Sequence, residues 1–588
     1  MDPRSSTVLT IIQEMPQLTF GWTDYTLFAG LLGMSLIIGF YFGFFSKQDS
    51  ASEYLFGGKS MAYLPVAVSI IASYLSGITF IGYPTEVYYH GAMMIISMGT
   101  AVITMLTTVH IFLPVFYNLQ IVSSYEYLEM RFSRKHRQLA SLLYTISLLL
   151  YIPIVVYVPS LVFAQVTGYG VHLIAPIFSF VCITYTSMGG VKAVVWTDTI
   201  QFIFTLGGFF TILIIGINYV GGVSRAFEIA SEGRRLEIID FDPSPLKRYS
   251  FWGMTLGMYF SSLSRYTIAQ KFVQRFLTIK QEQDVKKAAY LTGAGVIFLQ
   301  SCCILYGLLV YATYHNCDPL TTHLIKQADQ IVPYYVMDIV GHIPGLPGIF
   351  LAGLVSSALS TMSASLNCLS GMIYEDFLDG WIADSPKKDA KSANIMKFLS
   401  VMIGLITVAL IFLIERLGTI FEMSQTLSTA VDGPLLSFFI LGILVPWVGK
   451  KGAITGGCAS IVFMTWLLGG MQWHIFHKRI VTSNLPLSTQ NCSFPFNESV
   501  NADVYQTTPI STITSEDEPW IIFRISMLFL HLIGTTVAII VAVLTSIITK
   551  ETNMTDVDPR HVSPLVRRFL PDKKYTEVPL KEIKKEKD

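Results

Sequence analysis

The chain has 588 residues, 52% of them hydrophobic and 14% charged, with 40 basic side chains set against 40 acidic ones. A soluble core of this length cannot hide so large an apolar share, and a neutral chain lacks the excess of cations that nucleic acid demands. What is left is an all-α polytopic protein embedded in a lipid bilayer.

Crossing a bilayer as a helix takes about 20 apolar residues. Thirteen stretches meet that need, at 24–45, 62–83, 91–117, 138–164, 170–188, 199–220, 251–271, 288–313, 346–374, 395–415, 424–447, 452–472 and 520–549. The first begins too late and runs too long for a cleaved leader, so it is expected to be retained after a short N-terminal segment, 1–23.

The second span carries small polar residues and Gly77 at its middle. It reads either as a helix kinked for packing or as a discontinuous one, unwound over Ala72–Ser76, whose freed carbonyls seek a cation, a water or a donor. The seventh span is interrupted by Ser261, Ser262, Ser264 and Arg265. An arginine at this depth faces a cavity or a partner and not lipid. Either it pairs with Asp432 of the eleventh span and locks the bundle, or it binds an anion. The ninth span carries Ser356, Ser357, Ser360, Thr361, Ser363 and Ser365. Lipid offers these hydroxyls nothing, and grouped neutral oxygens are what a small hard cation such as sodium requires. Two interrupted spans five positions apart suggest an inverted five-helix repeat, over 62–220 and 251–447.

Lysine and arginine in the short connections set the orientation. Arg131, Arg134, Lys135, Arg137, Lys280, Lys286, Lys287, Lys450 and Lys451 fall on one side, together with the basic tail 550–588. That side is expected to be cytoplasmic, which leaves the N-terminus outside. The long loop 473–519 then lies outside as well, and its Asn491 and Asn497 head two N-glycosylation sequons. Five of the seven cysteines lie in spans. Cys317 and Cys492 lie in predicted outside loops, where an oxidising exterior permits a bridge if the two loops meet. The tail is too short for a catalytic domain and, being mixed in charge, is expected to be disordered.

Several long motifs match one family in order. Pro65–Ser69, Gly82–Tyr88, His110–Tyr117, Ser124–Phe132, Thr184–Asp198, Val273–Arg275, Gly345–Gly348 and Ser360–Ser363 resemble the sodium:solute symporter family over about 24–549, within it the branch of monocarboxylate, multivitamin and iodide transporters. The resemblance implies an inverted-repeat transporter core with discontinuous helices, one helix before it and two after. It implies a sodium site made of the carbonyls of Ala72, Leu75 and Ser357 with the hydroxyls of Ser360 and Thr361. It links Asp198 to the route of sodium toward the cytoplasm, where the alternative is a carboxylate paired with Lys192. It also places the substrate beside Thr79, Tyr83, Tyr259, Tyr266 and Gln270. This chain departs from the branch in having Ala269 where an asparagine is usual, followed by Gln270 and an extra cation, Lys271, and in charging Arg265 and Asp432. Those changes either retune the pocket for a carboxylate or create a salt bridge that slows transport.

The expectation is a plasma-membrane symporter that couples sodium to import of a small organic anion, in the first place a monocarboxylate. Vitamin or iodide-like transport, and a transport-inactive sensor or channel on the same fold, are the alternatives. An enzyme is disfavoured, because no metal-binding histidine cluster, nucleophile elbow or nucleotide loop is present in the sequence.

Overall fold

The computed structural model describes residues 20–571 apart from 47–49, 122, 326, 382–387, 418–419, 478, 481–483, 491, 493–518 and 555–556. The sequons at Asn491 and Asn497 and the last part of the tail therefore lie outside the described residues. Within them the chain is helical, without a β-strand.

Nine helices are individually long and apolar enough to cross a membrane among the described residues. They include α1 (Trp22–Phe45). Helices α2 (Tyr63–Tyr74) and α3 (Gly77–His90) form one span bent by 50°. Gly77 permits the bend to press on its neighbours, since a Cβ there would meet a Leu354 side-chain carbon at 3.1 Å and its carbonyl oxygen at 3.2 Å. Next come α4 (Ile96–Thr107), continued by a π turn at Thr108–Phe112, and α5 (Arg134–Thr167). Helix α6 (Val171–Val220) has 50 residues, too many for one crossing, and is interrupted at Gly190 (φ +55°, ψ −156°). Only glycine takes that backbone without strain, so the fifth and sixth predicted spans meet there. The seventh span is a relay of short pieces. A π turn at Gly253–Gly257 leads into α7 (Met258–Leu263), then a second π turn at Ser264–Ile268 gives way to an extended Ala269 (ψ 118°) before α8 (Gln270–Phe276). The two discontinuous helices expected from the sequence are thus both present.

The remaining spans are α9 (Glu282–Tyr314), α10 (Leu346–Ile373), α11 (Lys388–Leu417), α12 (Ile420–Leu444), α13 (Lys450–Phe476) and α14 (Leu530–Ile548). Helix α10 is the axis of the bundle, with 94% of its apolar window buried against 28% for α1. That position explains its composition: an interior helix touches other helices on every side, and small residues allow close approach. At its start the Gly348 N–H donates to Asp24 Oδ1 of α1 at 2.9 Å. There a carboxylate satisfies a free N-terminal donor and complements the helix dipole.

Two connections are more ordered than their composition suggests. Cys317 and Cys492 are joined as a disulfide with Cα atoms 5.1 Å apart. Beside it the long loop is docked: the Leu485 N–H donates to Tyr89 O (2.9 Å), the Asp318 N–H to Ser488 O (3.0 Å) and Arg235 Nη1 to Pro486 O (2.8 Å). A bridge between residues 175 apart restricts the unfolded chain, typically by about 2–4 kcal/mol. Cys317→Ser is therefore expected to lower the melting temperature of the purified protein by several degrees. Cys317→Ser with Cys492→Ser should lower it no further.

The tail corrects an expectation. Instead of being disordered throughout, its described part from Val557 onward packs on the bundle. Tyr127 Oη donates to His561 O at 2.9 Å, the Ser563 N–H donates to Ile443 O at 3.1 Å, and Val562 and Ser563 are fully buried. Local charge content hid this, because a few buried residues suffice to anchor a polar segment.

Candidate functional site

The break between α2 and α3 lies against the hydroxyl face of α10. Leu75 leaves the helix (φ −84°, ψ 78°) and α3 restarts after Ser76, which turns the last carbonyls of α2 toward α10. Ser360 Oγ lies 3.0 Å from Ala72 O and 3.2 Å from Ser357 O, and Thr361 Oγ1 lies 3.1 Å from Ser357 O and 3.2 Å from Ser73 O. All these residues are at most 5% exposed. A hard cation held at roughly 2.4 Å by several oxygens sets neighbouring ligands about 3–3.5 Å apart, so the spacing here suits one. The hydroxyls now donate to the carbonyls; rotating them turns their lone pairs inward instead. Of the five oxygens expected from the resemblance, the structure brings those of Ala72, Ser357, Ser360 and Thr361 together, with Leu75 at the unwound turn beside them.

One helical turn away is a buried charge pair. Asp198 of α6 (0% side-chain exposure) accepts from Arg275 Nη2 of α8 (3%) at 2.9 Å. Ser69 Oγ donates to the same carboxylate oxygen at 2.9 Å, and Arg275 Nη1 donates to Ser69 O (2.6 Å) and Ser73 Oγ (2.8 Å). Ser73 Oγ also reaches Ser360 O at 3.2 Å, so the pair and the oxygen cluster share a residue. The alternative partner for Asp198 is thereby corrected, since Lys192 binds Glu53 at 2.8 Å. Ser69 and Arg275 stood in the sequence as parts of two motifs and Ser73 as a small polar residue of the second span, but nothing local says that they converge on Asp198.

The second break lies across the bundle. Arg265, in the π turn before Ala269, donates from Nη2 to Ser261 Oγ at 3.0 Å. Tyr74, Asp432, Tyr151 and Tyr83, from four other helices, lie within its electrostatic reach. With those four helices around it, the side chain is nonetheless exposed. The proposed lock between Arg265 and Asp432 is not formed: among the described residues no carboxylate lies within 4.0 Å of Arg265, and Asp432 Oδ2 instead faces His531 Nε2 of α14 at 3.9 Å. The Asp432 backbone is tied to the second break, its carbonyl accepting from Ser264 Oγ of the π turn at 3.2 Å.

The other expected substrate residues divide. Tyr83 and Tyr266 lie around Arg265; Tyr266 stacks on Tyr74 with centroids 4.3 Å apart, and Tyr83 Oη accepts from Gln300 Nε2 at 2.9 Å. Thr79 is half-buried one turn from the first break, its N–H donating to Ser76 O at 2.8 Å. Gln270 does not join them, because its Oε1 accepts from the Ser124 N–H at 2.6 Å and the residue is 4% exposed. Tyr259 shares a hydrogen bond with Thr107 of α4 at 3.1 Å. Tyr74 and Tyr151 are additions: both are tyrosines inside spans, where the sequence does not separate ligand from packing.

The sodium:solute symporter family model matches residues 54–459. The chain belongs to the sodium:solute symporter family. It is 35% identical over 550 residues to the sodium-coupled monocarboxylate transporter 2 of Mus musculus, covering 93% of this chain and 87% of that protein. It is 34% identical over 455 residues to the sodium/iodide cotransporter of Homo sapiens, covering 77% and 70% respectively. A sodium-coupled sialic acid symporter, solved in a substrate-bound outward-open state, aligns with a TM-score of 0.73 at 22% identity, over 90% of this chain and 98% of that one. That likeness is one of fold. This symporter is thus a membrane-embedded carrier that moves a small solute together with sodium, and it is not an enzyme.

Proposed function

We propose that this symporter imports a small organic anion across the plasma membrane, with the carboxylate of the anion at Arg265 and sodium at Ala72, Leu75, Ser357, Ser360 and Thr361. The observation that carries this reading is Arg265 itself: an exposed guanidinium set among four other helices, with no carboxylate within 4.0 Å among the described residues. An uncompensated cation inside a membrane protein costs several kcal/mol unless water or an anion meets it. Arginine's fork binds a carboxylate through two parallel bonds. Monocarboxylates are the simplest such ligands, and the names of the mouse, human and frog relatives support them.

Sodium bound between α2 and α10 would hold the outward-open arrangement together, and the anion at the second break would then permit the bundle to rock. Asp198, sharing Ser73 with the cation site, would be the next carboxylate that sodium meets as it leaves toward the cytoplasm. In this reading the basic connections and tail lie in the cytoplasm, and Asn491 and Asn497 are glycosylated outside.

The test is uptake of labelled lactate, pyruvate, biotin and iodide in sodium and in choline. Sodium-dependent lactate or pyruvate uptake is expected, with Arg265→Gln reducing it at least about tenfold, the loss of one charge-assisted carboxylate contact. Uptake of iodide alone, or of nothing by protein present at the surface, would overturn the organic-anion reading.

A further inference from the structure

A second cation stands on the other side of the same helix break. Lys271 is the second residue of α8, six positions beyond Arg265. Among the described residues its Nζ meets no hydrogen-bond acceptor, and no carboxylate lies within 4.0 Å. Its contacts are aromatic: Nζ stands 5.7 Å from the Tyr151 ring centroid and 5.0 Å from that of Phe272. Tyr151 is also a neighbour of Arg265, and both cations lie within electrostatic reach of Asp432. Arg265 and Lys271 therefore share Tyr151 and Asp432 as neighbours, from opposite ends of the break.

Lysine is strongly hydrated and rarely left unpaired at this depth. Cation–π contacts of this length offset only a small part of its lost hydration. Asp432 is turned toward His531 and serves neither cation directly. The arrangement calls for an acceptor that arrives with the ligand.

We propose that Lys271 is a second anion anchor, and that the site takes a short dicarboxylate with one carboxylate at Arg265 and the other at Lys271. This rests on the reading of Arg265 as the anchor of an organic anion. The balance of charge favours it. Sodium, Arg265 and Lys271 bring three cationic groups to the loaded centre, and Asp432 with a dicarboxylate brings three anionic ones; Asp198 and Arg275 pair with each other. A monocarboxylate leaves one positive charge over, in surroundings where an unbalanced charge is costly. Position permits the bridge as well. The two residues lie on either side of the extended Ala269 and both have Tyr151 as a neighbour, so a short dicarboxylate between them would meet one cation at each end. The monocarboxylates of the simpler reading fill the Arg265 end alone.

The experiment is uptake of labelled succinate and lactate, in sodium and in choline, by wild type, Lys271→Gln and Lys271→Arg, each corrected for surface protein. Wild type is expected to carry succinate with a half-saturation at least about tenfold below that of lactate. Lys271→Gln should cut the succinate-to-lactate uptake ratio at least about tenfold, the scale of one lost charge contact, while Lys271→Arg keeps most of it. Sodium-dependent lactate uptake without succinate uptake, or a ratio that does not move in Lys271→Gln, overturns the second anchor and leaves the Arg265 reading standing. Absence of sodium-dependent uptake of both anions overturns the two together.

Discussion

Thr361→Ala is expected to raise the sodium concentration for half-maximal uptake by roughly ten- to a hundredfold, the loss of about 1.5–3 kcal/mol in one charge-assisted contact. Thr361 is fully buried, and its hydroxyl lies 3.1 Å from Ser357 O and 3.2 Å from Ser73 O, so it holds α10 to the unwound end of α2. Nothing replaces the oxygen once it is removed, because the methyl that remains cannot face a cation and the site is too enclosed to recruit water freely. Thr361→Ser keeps the oxygen and should stay within a few-fold of wild type. The measurement is the sodium dependence of uptake at fixed substrate, normalised to surface protein. An unchanged half-saturation in Thr361→Ala would remove Thr361 from the sodium site.

The second large effect is expected at Asp198 and Arg275. Both side chains are almost wholly inaccessible and 2.9 Å apart. Asp198→Asn leaves the guanidinium buried without a counter-charge, and Arg275→Gln leaves the carboxylate in the same state. Breaking a buried pair from one side costs about 3–5 kcal/mol, whereas removing both partners costs much less. Each single variant should therefore reach the surface poorly and melt early in detergent. The double variant should recover much of that stability without recovering sodium-driven uptake, because the carboxylate beside Ser73 is gone. Costs that simply add in the double variant would show that the two groups act independently. A stable, well-expressed Asp198→Asn would show that the pair does not hold the bundle.

Both experiments address residues whose legibility in the sequence was unequal. Thr361 stands in a run of hydroxyls that composition alone marks as unable to face lipid, and its neighbours on α10 follow from helical spacing. Arg275 is different. Four helices bring Asp198, Arg275, Ser69 and Ser363 together, Ser363 Oγ lying 3.5 Å from Asp198 Oδ1, and no spacing along the chain encodes which helices are neighbours or how each is rotated about its axis.

The same division holds for the molecule as a whole. Sequence alone marked the chain as a polytopic helical protein, the two interrupted spans, the hydroxyl-rich axis and the presence of an intramembrane arginine. Each depends on the composition of one segment set against lipid, which is a local property. Tertiary structure decided that Asp432 faces His531 and not Arg265, that Gln270 is bound to the Ser124 backbone, that Tyr74 and Tyr151 stand beside Arg265, and that the tail docks on Tyr127 and Ile443. A side chain's partner depends on helix phase, on tilt and on which distant segment packs alongside, and these are settled only when the whole bundle closes around its interior.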